Sequence, residues 1–153
     1  EVFTVFILRQ TYDGVHSGQV SFPGGRAEEG DTTLIETALR EASEEVNIEP
    51  EKVEILGTLS EMYIPPSNFL VLPVVGYTPE PPAFVPEIAE VAEIIESDIN
   101  FLFDPARHKE TLLTVRGIEI EAPYYDVKGK IIWGATAMIL SELGDVIKSI
   151  ASS

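Results

Sequence analysis

The chain has 153 residues, 44% of them apolar, no cysteine and a formal net charge of −16 at pH 7. This length fits one domain with a hydrophobic core of its own. The negative charge disfavours nucleic acid polymers and anionic membranes as partners, and no cluster of Lys and Arg offsets it locally. Disulfide bonds are excluded. A small phosphorylated substrate is not, because a metal ion can supply positive charge where it is needed.

The chain opens with an apolar stretch at residues 2–8, which predicts a buried strand. A signal peptide is not expected, since no basic region precedes this stretch. No segment approaches the ~20 apolar residues of a membrane span. A cytoplasmic location is therefore expected. Because the chain begins one residue before a core strand and without Met, we expect N-terminal residues to be missing.

A loop at residues 10–18 and a short extended piece at 19–22 come next. A helix is then predicted from the cap-type residues at 31–33 to about Val46, with Glu36 as the partner in a capping box. The residues expected to face the core at helical spacing are Leu34, Ala38, Ala42 and Val46, flanked by Leu39.

The rest of the chain predicts strands and one closing helix. Strands are expected at residues 53–62, 69–77, 88–95, 111–115, 118–125 and 131–133, the last three as a meander. Residues 135–150 carry apolar positions at helical spacing and predict an amphipathic helix. No linker or repeat divides the chain, so residues 1–153 are predicted to form a single domain. The expected fold class is α/β: a mixed sheet between helices, an α/β/α sandwich.

Three carboxylates stand where one metal ion could collect them. Glu41, Glu44 and Glu45 lie at i, i+3 and i+4, so on a helix they project from one face. Like charges at this spacing cost roughly 0.2–0.5 kcal/mol per pair, and a bound divalent cation reverses the sign of that interaction. Carboxylate oxygens suit Mg²⁺ or Mn²⁺. A run of Glu on a helix is more often a solvated face, so the glutamates alone do not decide the function.

The glycine turn at residues 22–25 and the acidic helix together resemble the Nudix box, G-x5-E-x7-R-E-U-x-E-E-x-G-U, where U is a bulky aliphatic residue. The matching residues are Gly25, Arg40, Glu41, Glu44, Glu45 and Ile48. Four features depart from the box. Asp31 stands where the box has Glu, and eight residues instead of seven separate it from Arg40. The small residue Ala42 stands in for the bulky aliphatic, and Asn47 replaces the last Gly. Asn tolerates the left-handed backbone that a helix end often needs.

The stretch at residues 16–31 resembles H-x-G-Q-V-x-F-P-G-G-x-x-E-x-x-D, part of the signature of the coenzyme A pyrophosphatase branch of the Nudix hydrolases. That branch has Asp at the position of Asp31. Its signature begins further upstream as L-L-T-x-R-S-x-x-L-x-x-H, in which Arg9 fits the Arg but Gln10 and Asp13 replace Ser and Leu. Residues 63–69 and 90–93 are similar to later segments of the same branch.

The resemblance implies a role for each site residue. Glu41 and Glu45 are implied metal ligands together with the carbonyl of Gly25, and Glu44 either completes the metal shell or orients the attacking water. Arg40 belongs to the catalytic set and is expected to pair with a box carboxylate, such as Glu28, rather than to touch substrate. A further acid is expected from a distant segment, with Glu90 the first choice and Glu93 the second. The candidate substrate-binding residues are Arg9, His16 and Gln19.

The implied function is hydrolysis of a diphosphate bond with Mg²⁺ or Mn²⁺. Coenzyme A or its thioesters would be cleaved to 3′,5′-ADP and 4′-phosphopantetheine. The alternatives are a Nudix hydrolase of another nucleoside diphosphate derivative, such as ADP-ribose or NADH, and a non-catalytic binding module with the same fold. The expected partner is a small nucleoside diphosphate derivative rather than a nucleic acid polymer or a membrane, and a homodimer is one option for assembly.

Overall fold

The computed structural model describes residues 1–13 and 18–152, and of Val115 it describes the backbone alone. The predicted substrate residue His16 lies outside the described residues. The chain forms two compact units: the N-terminal unit, residues 5–95, and the C-terminal unit, residues 1–4 and 96–153. The mixture of helices and strands confirms the α/β class. Within the described part, no helix has the length and apolar character needed to cross a membrane.

The N-terminal unit holds one long helix among short strands. Its elements are β1 (Phe3–Arg9), β2 (Val20–Ser21), α1 (Leu34–Val46), β3 (Glu54–Thr58), β4 (Met62–Ile64), β5 (Phe69–Val71), β6 (Val74–Tyr77) and β7 (Val91–Asp98), the ends of β1 and β7 continuing into the C-terminal unit. β1 lies between β2 and β7 and is antiparallel to β2. Ile7, Val46 and Val91 are fully buried together, so β1, α1 and β7 share one core.

Both ends of α1 are capped as the sequence predicts. The Thr33 hydroxyl accepts a hydrogen bond from the Glu36 N–H at 3.2 Å, and the Glu36 carboxylate accepts one from the Thr32 N–H at 2.6 Å. Asn47 ends the helix in the left-handed region, with φ of 65°, and its N–H donates to the Ser43 carbonyl at 3.1 Å. The strong local signals at these caps therefore fix the helix boundaries.

The inward face of α1 differs from the one expected. Val46 is buried, but the expected core residue Leu34 is 43% exposed, so that prediction is wrong. Leu34 occupies the first turn, where the buried position belongs to Thr37 instead. Further along, the buried residue is Glu45. The inner face of this helix is therefore partly polar, and an apolar pattern could not reveal it.

Two predicted strands are each broken in two. Residues 53–62 contain β3 and only the first residue of β4, and residues 69–77 form β5 and β6. β3 pairs with β6 and β4 with β5, both antiparallel. The break between β5 and β6 falls at Pro73, which has no N–H to donate within a sheet. The Pro73 carbonyl accepts a hydrogen bond from the Leu59 N–H at 2.9 Å. The next strand also begins later than expected, at Val91, because the Glu90 and Val91 N–H groups bond to the Glu87 carbonyl in a turn.

The C-terminal unit contains the predicted meander and closing helix. Its elements are α2 (Ile99–Leu102), β8 (Lys109–Val115), β9 (Ile118–Val127), β10 (Lys130–Ile132) and α3 (Gly134–Ala151). β9 lies between β8 and β10 and is antiparallel to both. A Cβ at Gly144 of α3 would come within 2.8 Å of the Phe103 ring, so a glycine allows this close packing. The short α2 was not predicted from the sequence.

We expect Thr33→Ala to lower the free energy of unfolding by about 1 kcal/mol, because the helix loses the acceptor for one of its unpaired N–H groups. Thr33→Ser keeps the hydroxyl and is the control. A urea titration followed by far-UV circular dichroism measures both variants. Equal losses in the two variants would show that the threonine methyl group, not the cap, provides the stability.

Candidate metal centre

Three carboxylates of the N-terminal unit converge on one point. Glu41, Glu45 and Glu90 each bring an oxygen to within 4.8 Å of the others. Glu41 and Glu45 are one turn apart on α1, as their spacing predicts. Glu90 comes from the turn that precedes β7. The cluster includes Glu90, the first choice for the distant acid, and not Glu93.

Backbone hydrogen bonds link the segment before Glu90 to the end of α1. The last carbonyls of a helix have no partner within it. Here the Glu45 carbonyl accepts from the Glu87 N–H at 3.0 Å, and the Val46 carbonyl accepts from the Val85 N–H at 3.2 Å. The Asn47 amide adds a bond to the Ala83 carbonyl at 3.1 Å. The distant acid is therefore tied to the helix through the main chain.

Glu45 is the most buried member of the cluster, with 1% of its side chain exposed. Arg9 Nη1 donates to its Oε2 at 3.1 Å, and the Gly24 N–H donates to its Oε1 at 2.7 Å. Arg9 Nη2 also donates to the Gly24 carbonyl at 3.1 Å. Burial raises the pKa of Glu45, and Arg9 and the Gly24 N–H oppose that rise. Arg9, predicted to bind substrate, is placed against Glu45, and its part in substrate binding stays a prediction.

Glu41 lies directly against the backbone of Gly25. A Cβ at position 25 would come within 2.5 Å of the Glu41 carboxyl carbon and 2.7 Å of both its oxygens. A side chain there would displace the carboxylate from its present position, so glycine permits this close approach. Burial raises the pKa of Glu41, the Arg40 guanidinium opposes the rise, and the nearby charges of Glu44 and Glu90 add to it.

Arg40 joins the loop after the glycine turn to the acidic helix. Its Nε and Nη2 bond both oxygens of Asp31, with the shortest contact at 3.0 Å. Its Nη1 lies 3.1 Å from Glu44 Oε2, and its Nη2 donates to the Arg26 carbonyl at 3.0 Å. The predicted ion pair with Glu28 is confirmed at 3.6 Å, although Asp31 is closer. Arg40 therefore holds the loop and does not stand free for substrate.

Asp31 is the main partner of Arg40: the sequence predicts a box carboxylate as the partner, with Glu28 as the example. Its carboxylate also accepts from the Thr37 hydroxyl and the Glu28 N–H, both at 2.9 Å. These bonds, the one from Arg40 above all, hold the pKa of Asp31 well below its usual range. The match of Asp31 to the branch motif marks the residue as part of the site, but the motif does not say that Asp31 pairs with Arg40.

The remaining predicted residues lie around the cluster. Glu44 is 55% exposed on α1, bonded to Arg40 and outside the three-carboxylate group. Gln19 lies beside β1, where its carbonyl accepts from the Arg9 N–H at 3.0 Å. Just beyond it, the Phe22 ring packs on the Phe6 ring with centroids 5.0 Å apart, which anchors the start of the glycine turn.

The donor set fits a hard divalent cation. Three carboxylates within 4.8 Å repel one another, and a cation among them would replace that repulsion with attraction. Oxygen-only ligands are typical of Mg²⁺ and Mn²⁺ rather than of softer metals. The backbone of Gly25 lies against Glu41, and the role of its carbonyl as a further ligand stays a prediction.

Comparison with known proteins identifies the class. The family model of the NUDIX domain matches residues 3–116. The chain is 37% identical over 133 residues to a protein named uncharacterized Nudix hydrolase NudL from Photorhabdus laumondii, covering 87% of this chain and 71% of that one. The protein of the same name from Pectobacterium atrosepticum is 38% identical over 145 residues, with 92% and 73% covered. The chain belongs to the Nudix family, whose enzymes hydrolyse diphosphate bonds and generally use divalent metal ions.

A solved structure supports the fold. The chain aligns with a MutT/nudix family protein from Enterococcus faecalis with a TM-score of 0.56 and 17% sequence identity. The alignment covers 94% of this chain but 54% of the other, so the chain spans about half the length of that protein. The likeness shows the Nudix fold, and questions of substrate rest on the residues of this chain.

We expect Gly25→Ala to weaken Mn²⁺ binding by about tenfold or more, because the new Cβ displaces the Glu41 carboxylate. Gly24→Ala is the matched control, since a Cβ there meets nothing within 4 Å. Isothermal titration with MnCl₂ measures both variants, and circular dichroism checks their folding. Equal Mn²⁺ affinity in the two variants would remove Glu41 from the metal centre.

Proposed function

We propose that this protein hydrolyses the diphosphate bond of coenzyme A or its thioesters in the presence of Mg²⁺ or Mn²⁺. The observation that carries the hydrolase is the convergence of Glu41, Glu45 and Glu90 beside Gly25. The choice of coenzyme A depends on the resemblance of residues 16–31 to the signature of that branch.

The reaction would break one P–O bond of the diphosphate and add water across it, giving 3′,5′-ADP and 4′-phosphopantetheine. Glu41, Glu45 and Glu90, with the Gly25 carbonyl, would hold the cation. A cation held there would supply positive charge to the phosphate oxygens and would make a water molecule more acidic. Glu44 has a carboxylate that is open to solvent next to this cluster, so it can accept a hydrogen bond from the attacking water, orient it and take up its proton. Arg40 keeps Glu41 and Glu44 in place.

Two other functions are compatible with the same site. A Nudix hydrolase of ADP-ribose or NADH would use the same metal centre and differ in the residues that bind the rest of the substrate. A non-catalytic binding module is disfavoured, because Glu41, Glu44 and Glu45 are all present. We therefore keep the second enzyme as the alternative.

We expect coenzyme A to be cleaved at least tenfold faster, as kcat/KM, than ADP-ribose or NADH with MnCl₂. The three compounds share a diphosphate bond and differ in the groups on either side, so the comparison isolates specificity. Chromatography of the products measures each rate. Faster turnover of ADP-ribose would remove the coenzyme A assignment and leave the hydrolase in place. No turnover with any diphosphate would favour the binding module.

We expect Glu44→Gln to lower kcat by roughly 10²–10⁴-fold, because the amide cannot take up a proton from water. Glu49→Gln is the matched control: Glu49 is also 55% exposed and paired with a cation, Lys52, but lies beyond the end of α1. Product formation from coenzyme A and Mn²⁺ titration are measured for both variants. Turnover that is unchanged in Glu44→Gln would remove this residue from the mechanism.

A further inference from the structure

Among the described residues of the N-terminal unit, one Lys or Arg side chain has no carboxylate partner. Residues 5–95 contain four Lys and Arg residues in all. Arg9 is paired with Glu45, Arg40 with Asp31 and its neighbours, and Lys52 with a glutamate at 2.8 Å. Arg26 forms no ion pair within the described ranges, in a chain that has 26 Asp and Glu against 10 Lys and Arg. Because acidic side chains outnumber basic ones so strongly, an Arg without a carboxylate partner is a candidate for binding an anionic ligand.

The backbone of Arg26 is fixed beside the metal centre. It directly follows Gly25, whose Cα lies against the Glu41 carboxylate. Its carbonyl accepts a hydrogen bond from Arg40 Nη2 at 3.0 Å. The residue itself is exposed. Arg26 is therefore an exposed residue whose backbone is held in place by Arg40 and by the packing of Gly25 against Glu41.

The side chain of Arg26 is held by an aromatic ring from the β4–β5 hairpin. Its Cζ lies 5.0 Å from the centroid of the Phe69 ring. The hairpin turn is stabilised by a hydrogen bond from the Tyr63 hydroxyl to the Asn68 side-chain oxygen at 2.7 Å, and Asn68 adopts the left-handed φ of 55° that the turn needs. Phe69 follows directly and pairs with Ile64. The ring is thus placed by a local, well-bonded turn.

A diphosphate substrate needs more positive charge than the described cations of the metal centre can offer. Arg9 is already paired with Glu45, and Arg40 is shared among Asp31, Glu41 and Glu44. Stacking on an aromatic ring uses the face of a guanidinium and leaves its N–H groups free to donate in the plane. Phosphate oxygens accept such paired bonds well.

We propose that Arg26 binds a phosphate group of the substrate beside the metal centre, and that Phe69 is the positioning residue for its guanidinium. This assignment rests on the proposed diphosphate hydrolysis and adds a residue for substrate binding that the family box does not specify. Arg26 contacts the substrate, whereas Phe69 acts through Arg26.

The test measures binding of α,β-methylene-ADP, a diphosphate whose P–C–P bridge is not hydrolysed, by calorimetry with MgCl₂. We expect Arg26→Gln to raise its Kd about tenfold, because a charged hydrogen bond is lost. Arg26→Lys keeps the positive charge but lacks the paired, coplanar N–H donors of the guanidinium, so it should recover part of the affinity. Lys52→Gln removes a cation of the same unit and should change nothing. The Kd for Mn²⁺ alone should be the same in all variants.

Phe69→Leu keeps an apolar side chain but removes the ring. We expect it to raise KM for the cleaved substrate several-fold with little change in kcat, and to add no further loss in the Arg26→Gln background. Leu70→Ala, at the neighbouring exposed position, is the control. An additive loss in the double variant would overturn the positioning role of Phe69.

Two sets of outcomes separate this proposal from the proposed function. A wild-type protein that cleaves diphosphates, with unchanged probe affinity in Arg26→Gln, would overturn the role of Arg26 alone. That role would also be overturned if Arg26→Gln weakened Mn²⁺ binding as much as probe binding, since the residue would then only support the loop. A wild-type protein that binds the probe through Arg26 but cleaves no diphosphate would support the Arg26 assignment and overturn the hydrolase.

Discussion

The buried carboxylate of Glu45 is the constraint on which the site depends. Taking a charge out of water costs several kcal/mol unless partners replace the lost hydration. Arg9 and the Gly24 N–H do so, one on each oxygen. Since these partners come from β1 and from the glycine turn, the carboxylate can be satisfied only when both segments meet α1. Folding of this unit and placement of the Glu45 carboxylate in the acidic cluster are therefore coupled.

Few cations organise a very acidic chain. Arg40 is shared among Asp31, Glu41, Glu44 and Glu28, and so offsets repulsion that would otherwise weaken α1. A single planar guanidinium with five donors can serve several acceptors at once, which an ammonium group does less well. The cost is that Arg40 has little capacity left for a ligand. Any further positive charge must come from a metal ion or from a side chain outside this network.

Local signals were readable from the sequence and long-range contacts were not. The ends of α1 followed from Thr33, Glu36 and Asn47, because a cap depends on neighbours three or four residues away. The spacing of Glu41 and Glu45 followed from helix geometry alone. The bond between Arg9 and Glu45 spans 36 positions and has no signature in either segment. The break between β5 and β6 lies at Pro73, which the sequence shows, but the bond from the Leu59 N–H to its carbonyl is a long-range contact that the sequence does not specify.

The main-chain bonds between residues 83–87 and the end of α1 bear on how this enzyme can change over generations. Hydrogen bonds from the Val85 and Glu87 N–H groups do not depend on the side chains at those positions. Only proline would abolish them. Pro86, the proline of this segment, lies between the two donors and removes neither. Substitutions at the donor positions therefore keep these two bonds and the place of the Glu90 segment, whereas Phe84 beside them is constrained by its packing against Ile7, Val46 and Val91.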